Sequence, residues 1–116
     1  MKKIIVIDDD GSNLEVIGMI LEQEGHQAHC FPDGTDLLKN VERIRPDLII
    51  IDMMLNGEDG RDLCKMLKTY PGFKNITVLM ISIGNKEHLI ADCLADGYIE
   101  KPFELETFTK LVNSYL

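Results

Sequence analysis

Four groups of polar residues that could take part in one reaction stand at the ends of apolar runs or directly after them. Three consecutive aspartates, Asp8 to Asp10, follow "IIVI", and Asp52 follows "LIII". Further along, Ser82 ends the run "TVLMIS", and Lys101 follows the run "GYIE". An isolated charge buried without a partner costs on the order of several kcal/mol. Acids at the ends of such runs therefore indicate that something of opposite charge meets them.

The residue types predict a cation site that handles a phosphoryl group. If Asp8, Asp9 and Asp52 converge, they repel one another and destabilise the fold unless a cation intervenes. Carboxylate oxygens, water and a carbonyl make the octahedral site that Mg2+ prefers. A cation, a lysine and a hydroxyl around one aspartate suit phosphoryl transfer, which depends on positioning and charge neutralisation. Asp52 would then be the nucleophile and would form an acyl phosphate.

The elements that must position these residues follow from hydrophobic periodicity. The predicted strands are residues 4–7, 28–31, 48–51, 77–82 and 97–100. Segments of helical period lie between them, the first starting with a capping-box pattern at Ser12 and Glu15. Their apolar faces are Leu14, Ile17, Ile20, Leu21; Leu37, Leu38, Val41, Ile44; Leu63, Met66, Leu67; Leu89, Ile90, Cys93, Leu94; and Leu105, Phe108, Leu111, Val112, Tyr115.

The alternation of strands and helices predicts an α/β fold, a doubly wound five-stranded parallel sheet with five helices. In such sheets ligands bind beyond the carboxyl ends of the strands. The acids, the serine and the lysine all stand at that end. Taken singly, each has a plainer explanation, because "DDD" after a strand could be a turn that caps the next helix. Their occurrence at one end of four strands favours a shared site.

Composition restricts the function classes. The 116 residues fit one domain, 1–116, and 45% hydrophobic residues can form a core. A net charge of −8 argues against a nucleic-acid surface. No stretch is apolar for long enough to cross a bilayer, and no signal-peptide core is present. The cysteines Cys30, Cys64 and Cys93 form no C-x-x-C pair. They predict a reduced, cytoplasmic protein whose thiols are small core residues.

The motifs together resemble the receiver domain of two-component response regulators, over residues 2–116. "IIVIDDD" is similar to the acidic pocket of that family, "PDLIIIDMMLNGEDG" to its phosphoacceptor strand and loop, and "GYIEKPF" to its closing motif. The resemblance implies a flavodoxin-like sheet of order 2-1-3-4-5. It also implies phosphorylation by a histidine kinase or phosphotransfer protein, and an output domain or partner protein that reads the result.

The resemblance implies a role for individual residues. Asp52 resembles the phosphoacceptor, Asp8 and Asp9 resemble the Mg2+-binding acids, and Met54 would add its backbone carbonyl to the metal.

Three further residues resemble the family's phosphoryl contacts and switch. Ser82 resembles the hydroxyl residue that hydrogen-bonds the phosphoryl group, and Lys101 resembles the lysine of the pocket. Tyr98 resembles the aromatic switch. The Lys101–Pro102 peptide is a candidate cis bond, as is usual in the family.

The chain departs from the family pattern at three places. Asn56 stands where the loop after the phosphoacceptor usually has proline, so we expect a looser turn. Ser82 and Lys101 are only 19 residues apart, which shortens the fourth helix region. Ile83 stands where the family has a small residue, and it either restricts access to the phosphoryl site or only packs.

Two other function classes remain open from the sequence. A pseudo-receiver would keep the fold and bind a partner protein without phosphate. A Mg2+-dependent phosphohydrolase would need a second acid two residues after its nucleophile, but this chain has Met54 there. Such an enzyme would also need a cap domain or an insertion to bind its substrate. The receiver is the favoured interpretation because its full set of acids, serine and lysine is present. A receiver catalyses only its own phosphorylation and dephosphorylation.

Overall fold

A parallel sheet forms from the predicted apolar runs in the computed structural model, which describes residues 2–84 and 91–116. The strands are β1 (Lys3–Ile7), β2 (Gln27–Phe31), β3 (Leu48–Asp52), β4 (Met54–Leu55), β5 (Glu58–Asp59), β6 (Thr77–Ile83) and β7 (Gly97–Lys101). The five long strands make one parallel sheet of order β2-β1-β3-β6-β7. This confirms the predicted order, because β6 and β7 are the fourth and fifth long strands.

The short strands β4 and β5 were not predicted. They pair antiparallel, with Leu55 opposite Glu58. The turn between them is Asn56-Gly57, and Gly57 has a φ of +76° that glycine adopts at no steric cost. The loop after Asp52 is therefore a small hairpin rather than the looser turn that the missing proline suggested.

Four α-helices connect the strands in the described part of the chain: α1 (Gly11–Gln23), α2 (Leu37–Ile44), α3 (Gly60–Thr69) and α4 (Leu105–Ser114). The prediction of five helices is not met there. Leu89 and Ile90 of the predicted fourth helix lie outside the described residues. The other two residues of its predicted apolar face are described and are not α-helical. Cys93 ends a 3-10 turn, Ala91–Cys93, and Leu94 has a left-handed φ of 68°.

The sheet is covered on both faces, which explains why its central strands are continuously apolar. Side chains alternate along β1 and β3, so successive residues belong to different cores. One core contains Ile5, Ile7, Ile49 and Ile51 with the apolar sides of α2 and α3. The other contains Ile4, Val6, Leu48 and Ile50 with α1 and α4. None of the described helices is long and apolar enough to cross a membrane.

Several local predictions were wrong. Asp10, not Ser12, caps α1, and its Oδ1 accepts from the amides of Ser12 (2.9 Å) and Asn13 (3.3 Å). Leu105 does not join the core but is 57% exposed. Of the cysteines, Cys64 and Cys93 are buried as predicted, whereas Cys30 is exposed.

The end of β3 lies against the start of α3. The amide of Gly60 donates to the carbonyl of Met53 at 2.9 Å. A Cβ at residue 60 would lie 2.0 Å from the backbone oxygen of Asp52, far inside contact distance. Glycine at this place therefore lets α3 approach the backbone that carries the Asp52 side chain.

We predict that Gly60→Ala destabilises the protein by about 2 kcal/mol, because the new methyl group must displace the Asp52 backbone. Gly11→Ala is the matched control, since a Cβ there meets nothing within 4 Å. In the control, alanine in the first turn should leave stability unchanged or raise it by up to about 1 kcal/mol. Urea unfolding of both variants measures the difference, and equal stabilities would show that the close approach is not a constraint.

Candidate functional site

The structure brings the three predicted metal-binding acids together. Ile7 pairs with Ile51, and each is followed by an acid. Asp8 and Asp52 therefore lie side by side at the ends of neighbouring strands. Asp8 is 1% exposed and Asp52 is 6% exposed. Asp9 is exposed at the rim. One ligand atom of each acid lies within 4.8 Å of the other two, close enough to share a metal ion.

Each buried carboxylate divides its two oxygens between two tasks. The Oδ1 of Asp8 accepts from the amide of Asp10 at 2.9 Å, and the Oδ1 of Asp52 accepts from the amide of Met54 at 2.9 Å. In both cases the acid holds the backbone two residues ahead, a common Asx-turn arrangement. The Oδ2 atom of each acid faces Lys101 instead.

Lys101 is the positive charge of the pocket. Its Nζ lies 2.6 Å from Oδ2 of Asp52 and 3.4 Å from Oδ2 of Asp8. Burial by itself lowers the pKa of Lys101, but the hydrogen bond and charge of Asp52, with those of Asp8, outweigh it and raise the pKa above its ordinary value. The side chain is therefore a charged ammonium donor. The Lys101–Pro102 peptide is cis, as the resemblance implied.

One lysine does not balance the acids. Burial raises the pKa of Asp8, and the nearby charge of Asp52 adds to the shift, while the Asp10 amide and Lys101 oppose it. Ionised Asp8 is thus less favourable in the folded protein than in water. A divalent cation between the acids would remove that penalty, since opposite charge favours the ionised form. The pocket can hold a metal on these grounds.

Ser82 lies at the same edge of the sheet, near the end of β6. Its side chain is 1% exposed, and its Oγ has no hydrogen-bond partner among the residues described. Asp52 pairs with Ile81, so Ser82 is one residue beyond the acid along the neighbouring strand. A buried hydroxyl without a partner costs about 1–3 kcal/mol, so Ser82 would be stabilised by an acceptor that enters the pocket.

Tyr98 connects β7 to the end of β6. It is partly buried and packs against the core on the α2 and α3 face. Its hydroxyl donates to the backbone oxygen of Gly84, two residues after Ser82. The predicted serine and aromatic pair is therefore placed on adjacent strands, with the tyrosine bound to the chain that continues from the serine.

Met54 and Ile83 both place their side chains in solvent, each 71% exposed. The Met54 backbone lies beside Asp52 through its amide. Ile83 does not pack inward, and it lines a groove with Asn13, Val16 and Lys101. Alternation along β6 explains this, because Ser82 and Ile83 point to opposite faces of the sheet.

Sequence reasoning missed two residues that shape the pocket. The amide of Asp10 holds Asp8, and Gly60 allows the approach of α3 to Asp52. The turn explanation of "DDD" already allowed a cap at this place, and Asp10 is that cap. Its amide contact with Asp8 had no signal of its own in the sequence. The Gly60 contact joins backbone atoms of different elements, and no local pattern reports it.

Comparison with known proteins identifies the family. The family model of the response regulator receiver domain matches residues 4–113. The chain belongs to this family. As a receiver domain, it is a component of a two-component response regulator. The family that the sequence motifs indicated is confirmed.

Curated relatives of this receiver domain are longer than the chain. The DNA-binding response regulator MtrA of Mycolicibacterium paratuberculosis is 34% identical over an alignment of 116 positions. That alignment covers 99% of this chain and 51% of that protein. The MtrA of Mycobacterium tuberculosis is also 34% identical, with 50% of its length covered. The chain thus spans about half the length of the curated relatives it matches.

Solved receiver structures superpose closely on this one. The signal receiver domain of a signal transduction histidine kinase from Syntrophus aciditrophicus has a TM-score of 0.90 and 28% identity, with 100% of this chain and 90% of that chain covered. Chemotaxis response regulator CheY4 of Vibrio cholerae has a TM-score of 0.91 at 24% identity, with 100% and 99% covered, and supports the fold alone.

We predict that a divalent cation such as Mg2+ stabilises this receiver domain by relieving repulsion among the three acids. A ligand that binds only the folded state, at ten times its Kd, adds about 1.4 kcal/mol, which raises the Tm by about 6 °C. The shift should decrease as pH falls through the raised pKa of Asp8, because protons then compete with the cation. Thermal melts with and without Mg2+ at several pH values measure it.

Asp9→Asn and Glu42→Gln form the matched pair for this experiment. Both remove one exposed negative charge, but only Asp9 belongs to the acid cluster, whereas Glu42 lies on α2. The Mg2+-dependent shift should be lost in the first variant and kept in the second. An equal shift in both would place the cation elsewhere.

Proposed function

We propose that residues 1–116 form one receiver domain that is phosphorylated on Asp52 in a Mg2+-dependent reaction and works as a signalling switch. The observation that carries the proposal is the surroundings of Asp52. Its carboxylate ends a buried strand, shares a cluster with Asp8 and Asp9, and lies 2.6 Å from the Lys101 ammonium. A structural ion pair would need one acid for Lys101, whereas here two buried acids face the same ammonium group.

The residues present fit a magnesium ion. Asp8, Asp9 and Asp52 supply the carboxylate oxygens that a hard cation prefers, and the backbone carbonyl of Met54 is the proposed further ligand. Bound there, the ion would supply positive charge against the acids and the incoming phosphoryl oxygens. The raised pKa of Asp8 supports this assignment, because burial and then the charge of Asp52 make its ionised form unfavourable, and a bound cation would offset both effects.

The phosphoryl donor in this proposal is a phosphohistidine of a histidine kinase or phosphotransfer protein. A carboxylate oxygen of Asp52 attacks phosphorus as the bond to the histidine nitrogen breaks, which yields an aspartyl phosphate. Lys101 then exchanges part of its contact with Asp52 for a phosphoryl oxygen and keeps the charge neutralised. The buried hydroxyl of Ser82 gains the acceptor that it lacks among the described residues.

The switch would start from Ser82 and involve Tyr98. Movement of Ser82 toward the phosphoryl group displaces the end of β6, where Gly84 accepts from the Tyr98 hydroxyl. The tyrosine then changes its position on β7, and the surface around it changes. Phosphorylation in this way shifts a two-state equilibrium rather than creating a new fold.

An output domain or a partner protein would read this change. Relatives about twice as long as this chain include DNA-binding response regulators, which supports an output outside these residues. A net charge of −8 argues that the domain itself makes no nucleic-acid contact. Membership of the receiver family supports a location in the cytoplasm, beside the kinase. No turnover of a separate substrate is proposed.

A pseudo-receiver that binds a partner without phosphate is the second candidate. The exposed Ile83 beside Lys101 and the short spacing between Ser82 and Lys101 favour it, since both depart from the family pattern. The buried Ser82 hydroxyl, which has no partner among the described residues, favours the phosphorylated receiver instead.

We predict that a small phosphodonor with Mg2+ adds the mass of one phosphoryl group to the wild-type protein and not to Asp52→Asn. Asp33→Asn is the matched control, because Asp33 is an exposed loop acid outside the cluster, and it should be modified like the wild type. Intact mass spectrometry reads the result. Persistent failure of the wild type, with a phosphohistidine protein as well as with small donors, would favour the pseudo-receiver.

We predict that Ile83→Ala speeds both phosphorylation by small donors and dephosphorylation by water. The β-branched side chain crowds the approach beside Lys101, and reacting atoms displaced by about 1 Å can slow a reaction on the order of a hundredfold. A several-fold increase is therefore expected. Val16→Ala is the control, because Val16 lines the same groove from α1 but does not follow Ser82.

Time courses of phosphorylated mass give both rates for the two variants. Unchanged rates in Ile83→Ala, or equal increases in Val16→Ala, would show that Ile83 does not restrict access.

A further inference from the structure

Two of the three thiols lie together between α3 and the 3-10 turn Ala91–Cys93. Cys64 is completely buried, and Cys93 is 3% exposed. The thiol of Cys64 donates to the backbone oxygen of Cys93 at 3.3 Å. A carbonyl oxygen lies roughly 2.4 Å from its own Cα, so the Cys64 sulfur is within about 6 Å of the Cys93 Cα. The Cys93 side chain is also within hydrogen-bonding reach of the Cys64 thiol, so the two sulfurs are neighbours.

Both thiols are buried, but only Cys93 of the pair lines a surface cavity. Cys93 lines a surface cavity of about 200 Å3, whose other walls are Asp59, Arg61, Asp62, Lys65 and Asp92. These walls are charged and therefore hydrated. A water molecule occupies about 30 Å3 in the liquid, so the cavity has room for a small polar oxidant. Cys64 is not part of the lining and lies behind Cys93.

The environments of the two thiols set an order of reaction. Burial, and then the neighbouring Cys93, raise the pKa of the Cys64 thiol, so little of it is thiolate and it reacts slowly with oxidants that diffuse in from solution. Its attack on an oxidised Cys93 is intramolecular, and the close contact compensates for the small thiolate fraction. Cys30 cannot replace either thiol, because it lies on β2, where its sulfur is next to the Leu14 backbone oxygen of α1 at 3.8 Å. None of the three cysteines is in a disulfide.

We propose that Cys93 and Cys64 form an oxidation site for small peroxides, in which Cys93 reacts first and Cys64 resolves it as a disulfide. The Cys93 sulfur attacks one peroxide oxygen, the O–O bond breaks, and a sulfenic acid and one water form. The Cys64 sulfur then attacks the sulfenic sulfur, the S–O bond breaks, and a second water leaves. Two thiols are oxidised by two electrons, and hydrogen peroxide is reduced to two waters.

The disulfide would fasten α3 to the segment that leads into β7. That strand carries Tyr98 and Lys101, whereas α3 begins directly after the hairpin that follows Asp52. The proposal is independent of phosphorylation, since neither thiol belongs to the acid cluster.

The test uses the full chain with Cys30→Ser, which removes the exposed thiol from the measurement. Hydrogen peroxide should make this protein two hydrogens lighter, and dithiothreitol should restore its mass. Peptide mapping after oxidation should show one linked pair that contains residues 64 and 93. In the double variant Cys30→Ser, Cys64→Ser, a sulfenic acid probe should label Cys93 after peroxide treatment. With Cys93→Ser instead, the probe should label nothing.

Two results would overturn the proposal. One is an unchanged mass, or oxygen added without a cross-link, in the Cys30→Ser protein. The other is labelling of Cys64 in the Cys93→Ser protein. Amide NMR spectra of each variant before oxidation confirm that it is folded, and Cys93→Ala replaces Cys93→Ser if the serine variant is not.

Discussion

Two carboxylates buried at the ends of neighbouring parallel strands, with one lysine between them, are the arrangement on which the rest of the site depends. Removing an ion from water costs several kcal/mol even after relaxation, by general estimates. Asp8 and Asp52 offset this cost with a backbone amide on one oxygen and Lys101 on the other. The same contacts fix the chain after β1, the chain after β3 and the end of β7. Three segments from distant parts of the sequence are thereby held together by one small set of charges.

The cores on the two faces of the sheet keep those charges in place. Alternate residues of β3 enter different cores, so a slip of one residue would exchange the two sets and turn Asp52 to the opposite face. The pairing of Asp52 with Ile81 and of Ile83 with Lys101 then places the serine and the lysine at the same edge. Hydrophobic packing that is remote from the pocket thus determines which polar groups meet there.

The sequence was sufficient for features with a periodic or strand-end signal. Short apolar runs, three of them continuous, predicted the five long strands, and acids after two of those runs predicted the cluster. The wrong predictions concern features set by contacts between elements. Which of Asp10 and Ser12 caps α1 depends on backbone angles that differ by one or two residues. The exposure of Cys30 depends on which neighbours cover β2. Gly60 is needed because a distant backbone oxygen approaches it.

The pocket as described is a compromise between stability and the chemistry proposed for it. The pKa of Asp8 is raised, and the Ser82 hydroxyl is buried without a partner among the described residues, so both groups reduce the stability of the protein alone. A cation and a phosphoryl group would satisfy both, since one supplies positive charge and the other an acceptor oxygen. Lys101 must be able to change partners for this to occur, and its flexible stem allows that where a rigid side chain would not. The energetic defects of the unmodified pocket therefore correspond, group by group, to the charge and the acceptor that an aspartyl phosphate with its metal would provide.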